Sequence, residues 1–182
     1  ANVYYQYGNV SPHPIYQSYT DNSGANWYQM ELIPTGGGTD FSWPEVGVWT
    51  DNGDRRKMVI AAGNNAGTFE VWSRRYYNGI WPEHYRIVDL GESAPYPQIC
   101  TRGTNILVAY RQSGGSYYVG GGAHLNNQTG ENGAWHDVND LFYHNLPYNG
   151  CAPVDCCSDG TRFFAASAGT GSSPRNQILT KR

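Results

Sequence analysis

The chain has 182 residues, of which 15% are charged, and a formal net charge of −3. Its only two lysines are Lys57 and Lys181. No basic stripe is present to neutralise phosphates, which excludes nucleic acid as a partner, and no apolar run approaches the length of a membrane-spanning helix. The 23 glycines and 15 tyrosines favour short strands and tight turns over long helices.

In chain order, the first predicted strands are Val3-Tyr4-Tyr5-Gln6 and Ile15-Tyr16-Gln17-Ser18, followed by an Asn/Gly turn that ends at Trp27. A proline-led strand, Trp43-Pro44-Glu45-Val46, precedes the strongly apolar Met58-Val59-Ile60-Ala61-Ala62. Next come Phe69-Glu70-Val71-Trp72, the turn Asn78-Gly79-Ile80-Trp81, and Tyr85-Arg86-Ile87-Val88. The same succession then recurs as Tyr96-Pro97-Gln98-Ile99, Ile106-Leu107-Val108-Ala109-Tyr110, Tyr117-Tyr118-Val119 and Asn132-Gly133-Ala134-Trp135. A last round begins at Ala152-Pro153-Val154-Asp155 and continues through Phe163-Phe164-Ala165-Ala166 to Gln177-Ile178-Leu179.

Trp27, Trp81 and Trp135 are thus spaced 54 residues apart. Four short strands per period, joined by Gly/Asn turns, predict an all-β fold of four-stranded antiparallel β-propeller blades. The expected division is a partial blade at 1–40, blades at 41–92 and 93–148, and a partial blade at 149–182. The apolar second strand of each blade is expected to be covered on both faces. In this register the chain opens on a second strand and stops on a third, which leaves an incomplete ring. Association with copies of itself or with another propeller segment is therefore expected.

Four cysteines, low lysine content and Asn-X-Ser/Thr sequons at Asn9 and Asn127 predict a secreted, extracellular protein. Cys100 and Cys156 hold matching places in proline-led strands of successive blades, where the expected separation is too large for a bridge. Cys151 and Cys157 flank Pro153 and are the better local pair. Neither the cysteines nor His13, His84, His124, His136 and His144 have metal-ligand spacing, so no metal or cofactor is expected.

The blade grammar resembles two propeller families. Ser18, Asp21, Gly24 and Trp27 are similar to the S-x-D-x-G-x-x-W turn of the Asp-box (neuraminidase-repeat) group, with the first two intervals each one residue longer. The layout from Asn2-Val3-Tyr4-Tyr5-Gln6 to Trp27 resembles the six- and seven-bladed sugar-binding lectins, including the fungal fucose lectins. That second resemblance implies an Arg, a Glu and an aromatic converging on a sugar between blades. Arg56 or Lys57, Glu70 and Trp81 match this set in the second repeat, whereas the first has Asn2 and Gln17 at those places and the fourth keeps Arg162 without an acid.

Aromatic rings stack on the C–H faces of sugars while polar side chains meet the hydroxyls. Tyr110 and Arg111, at the end of an apolar strand, join Arg56, Glu70, Trp81 and Trp135 as candidate ligand-binding residues. The plainer roles are blade packing for the tryptophans and a surface turn for Arg111. The expected function is that of a lectin-like, glycan-binding protein rather than an enzyme. The alternatives are part of a glycan-active propeller enzyme of sialidase or polysaccharide-lyase type, for which no catalytic residue can be assigned, or a structural self-assembling unit.

Overall fold

The computed structural model describes residues 1–51, 53–76, 79–81, 84–91, 96–103, 105–114, 117–125, 135–142, 151–169 and 177–181. Among them the fold is all-β. The one helical turn is a short 3-10 segment at Gly36–Gly38, and no helix is long and apolar enough to cross a membrane.

The strands form four antiparallel sheets, each built from consecutive strands. The first contains β1 (Asn2–Gln6), β2 (Ile15–Tyr19) and β3 (Tyr28–Ile33). In the second are β4 (Asp40–Asp51), β5 (Asp54–Asn65), β6 (Thr68–Tyr76) and β7 (Tyr85–Gly91). The third has β8 (Gln98–Arg102), β9 (Asn105–Gly114), β10 (Tyr117–Leu125) and β11 (Trp135–Phe142). The fourth consists of β12 (Cys151–Ser158), β13 (Phe163–Gly169) and β14 (Gln177–Lys181).

Two-residue periodicity accounts for the core. On β5, Val59 and Ala61 join Ile15, Leu32, Ile33 and Phe41 in a cluster between the first and second sheets. Met58 and Ile60, on the opposite face, join Trp49, Val71, Ile106, Val108 and Tyr110 between the second and third sheets. A strand covered on both faces has no reason to alternate polar and apolar side chains, which explains its unbroken apolar run. Burying one such Ile or Val stabilises the fold by about 1.5–3 kcal/mol.

Polar contacts fasten each joint. At the first, Asp40 accepts from the backbone N–H of His13 at 2.9 Å and from Ser11 Oγ at 3.0 Å, and pairs with His13 Nδ1 at 2.7 Å. Burial raises the Asp40 carboxyl, but these hydrogen bonds outweigh it and hold the group below its ordinary value. At the second joint Thr101 Oγ1 donates to the Val48 carbonyl at 2.9 Å, and at the third Arg102 Nη1 donates to the Thr161 carbonyl at 2.5 Å. Gly47 lets β4 and β8 approach, because a Cβ there would lie 2.9 Å from Ile99 Cδ1 and 3.0 Å from Thr101 Cγ2.

The cysteines depart from expectation. Cys151 and Cys157 lie six positions apart on the single strand β12, which at about 3.3 Å per residue separates them by roughly 20 Å. They cannot bridge to each other. Cys100 and Cys156 are instead neighbours across the β8–β12 joint, with their side chains hydrogen-bonded.

Candidate functional site

The candidate set from the second sheet divides between two places. Lys57 stands opposite Tyr76 in the β5–β6 ladder, and its ammonium lies 4.6 Å from the Tyr76 ring centroid and 5.4 Å from that of Trp81. The two rings meet edge to face at 5.4 Å, and Arg74 Nη2 donates to the Trp81 carbonyl at 2.8 Å. Burial pushes the Lys57 amine below its ordinary value. Arg56, beside it in sequence, is buried.

Glu70 is elsewhere. It pairs with Gly63, seven positions along β5 from Arg56 and so roughly 20 Å away along the strand. Its carboxylate is buried and already engaged: Oε2 accepts from Trp72 Nε1 at 2.6 Å and Oε1 from Arg86 Nη1 at 2.8 Å. Arg56, Glu70 and Trp81 therefore do not converge. In the first sheet, the corresponding Gln17 and Asn2 hydrogen-bond to each other.

Tyr110 is 2% exposed and belongs to the core between the second and third sheets. Arg111 and Trp135 lie on β9 and β11, and their side chains fall outside the described residues. Trp27 is 49% exposed rather than packed.

A different aromatic pair has the properties of a binding surface. Trp43 interrupts β4 beside Pro44, where the ladder with β5 skips from Ser42 to Glu45. Proline has no N–H to give the ladder, so a bulge forms there, and the bulge swings Trp43 outward. Tyr96 occupies the corresponding place before Pro97, at the entry to β8. Both residues have left-handed backbones, with φ of 49° for Trp43 and 43° for Tyr96. Such a conformation costs a non-glycine residue about 1–2 kcal/mol.

The two rings lie 4.4 Å apart between centroids, tilted by 45°, and Trp43 remains 43% exposed. Two residues further along the same pair of strands, Gln98 Nε2 donates to Glu45 Oε1 at 3.2 Å. The aromatic pair and the carboxylate–carboxamide pair thus lie two residues apart along the same two strands at the joint of the second and third sheets. A carboxylate accepts up to about four hydrogen bonds, so Glu45 retains capacity for hydroxyl donors.

Sequence reasoning left Trp43 open to either role, packing or ligand platform, without counting it among the site residues, and named Tyr96 only as the leader of a proline-led strand. The available signal was an aromatic residue before proline at both places, whereas the third such strand has Ala152 there. Among the described residues, no group of three His, Cys, Asp or Glu side chains is arranged to hold a metal ion. No family model, no curated protein and no solved structure matches the chain.

Proposed function

We propose that the chain is a secreted, lectin-like carbohydrate-binding protein, built from consecutive β-propeller blades, whose sugar site is the Trp43–Tyr96 patch with Glu45 and Gln98. The observation that carries this reading is the close, tilted ring pair of exposed Trp43 and partly buried Tyr96, held on two strained backbones near a polar pair. Left-handed non-glycine residues cluster at ligand sites, where the surrounding fold sustains the strain for a purpose. The exposed Trp43 ring offers an apolar face to the C–H face of a sugar ring, and Glu45 and Gln98 supply an acceptor and a donor for hydroxyls. The blade reading draws on the sheet order and on the two-sided burial of β5 between neighbouring sheets.

A glycan array followed by isothermal titration calorimetry tests the proposal. At least one sugar is expected to bind at millimolar concentration or tighter, and Trp43→Ala is expected to weaken binding tenfold or more with an unchanged circular dichroism spectrum. Absence of binding to any sugar at millimolar concentration would sink the lectin reading.

A second reading, self-assembly, draws on the first sheet. Val3 and Tyr7 are exposed beside Tyr5 and Tyr16, with the Tyr7 and Tyr16 ring centroids 4.7 Å apart. This aromatic face suits association with another copy of the chain. The two readings are compatible, since assembly would multiply weak sugar sites into avidity.

A further inference from the structure

Two thiols in the joint between the third and fourth sheets are separate from the sugar patch. Cys100 is nearly buried in the middle of β8, and its Sγ donates to the Cys157 carbonyl at 3.7 Å. The side chain of Cys156, partly buried on β12, is hydrogen-bonded to that of Cys100. Strand alternation sends the adjacent Cys157 to the opposite face, where it is exposed. Cys100 and Cys156 are both free thiols. The backbones around them are held by Arg102, which donates to the Thr161 carbonyl at 2.5 Å while its guanidinium lies 4.9 Å from the Phe163 ring centroid. The two thiol side chains are thus brought into contact by neighbouring strands that are independently fastened.

We propose that Cys100 and Cys156 are a disulfide-forming pair that covalently joins the third and fourth sheets. The oxidant is a small disulfide such as oxidised glutathione. The thiolate of one cysteine attacks a glutathione sulfur, forming a mixed disulfide and releasing one glutathione thiolate. The second cysteine's thiolate then attacks the protein sulfur of that mixed disulfide, forming the Cys100–Cys156 bond and releasing the other glutathione thiolate. Two protein thiols lose two electrons and two protons in total, and one glutathione disulfide becomes two glutathione thiols.

The hydrogen bond to Cys100, and after it burial, raise the Cys156 thiol above its ordinary value.

The test uses the full chain carrying Cys151→Ser and Cys157→Ser, which leaves Cys100 and Cys156 as its only cysteines. It is refolded at low concentration in a reduced/oxidised glutathione buffer. The expected result is a monomer lighter by two hydrogens, unreactive to iodoacetamide, whose linked peptide is lost on reduction. Thiols that remain alkylatable, or that are found in mixed or intermolecular disulfides, would overturn the proposal. In the unmodified chain, non-reducing peptide mapping should show Cys157 alkylated. A bridge from Cys157 to Cys100 would equally refute the assignment.

Discussion

At Trp43 and Tyr96 a bulky ring sits on a backbone that glycine would adopt without strain. Trp43→Gly is expected to relieve that strain while deleting a half-exposed ring, so chemical denaturation should find stability within about 1 kcal/mol of the parent. Sugar affinity is expected to fall tenfold or more in the same variant. Glu70 should behave in the opposite way. Glu70→Ala leaves Trp72 Nε1 and Arg86 without their shared acceptor, at a cost of about 1.5–3 kcal/mol read by urea denaturation. Sugar affinity should be unaffected, because Glu70 is buried among its own partners. Tyr4 supplies a third expectation. Burial raises its phenol from 10.0 to about 12, so the folded state holds the proton more tightly than the unfolded chain. The stability this contributes is complete below pH 10 and is lost as pH rises towards 12. Tyr4→Phe should therefore flatten the alkaline limb of a stability–pH curve.

Among the elements, Gly47 has the most specific role, because it sets how closely β4 and β8 can pack. Gly47→Val is expected to destabilise by about 1–3 kcal/mol, measured by thermal or urea unfolding, since the new side chain meets Ile99 and Thr101. The place two residues beyond the leading proline's successor is small in all three proline-led strands: Gly47, Cys100 and Cys156. That shared smallness is the physical reason these strands pack directly, and why separating Cys100 from Cys156 on blade spacing alone fails. The strands themselves were legible. Met58 to Ala62 and Ile106 to Tyr110 are unbroken apolar runs because neighbouring sheets cover both faces. The site was much less so. Glu70 meets Arg86 only through ladder irregularities between Phe69 and Glu70 and between Val71 and Trp72, which no spacing in the chain announces. Trp27 and Trp81 share a period but not an environment: Trp27 is exposed, whereas Trp81 is wedged beside Tyr76 and Lys57.

For the whole molecule, the same face alternation that builds the core points to how chains would associate. Val59 and Ala61 on β5 face the first sheet, and Ile106, Val108 and Tyr110 on β9 face the second. On β1, Tyr4 packs towards the second sheet, so Val3 and Tyr5 occupy the face turned away from it. That face is not purely apolar: Tyr5 OH and Ser18 Oγ pair at 3.0 Å, Gln29 Nε2 donates to Tyr5 OH at 3.0 Å, and Tyr16 OH donates to Glu31 Oε2 at 3.3 Å. The Tyr5 and Tyr16 hydroxyls already have partners within the sheet, so these two rings can enter an interface without stranding their hydroxyls. The proposed assembly through this face is expected to appear as concentration-dependent mass in sedimentation velocity. Introducing charge there with Tyr5→Arg and Tyr16→Arg should shift the protein towards monomer while leaving the Trp43–Tyr96 patch intact. In that variant the affinity for a monovalent sugar should be unchanged, while retention on a multivalent sugar surface should fall. A parent chain that stays monomeric at every concentration would rule out the assembly, and a variant that loses monovalent binding would place the sugar site on the first sheet instead.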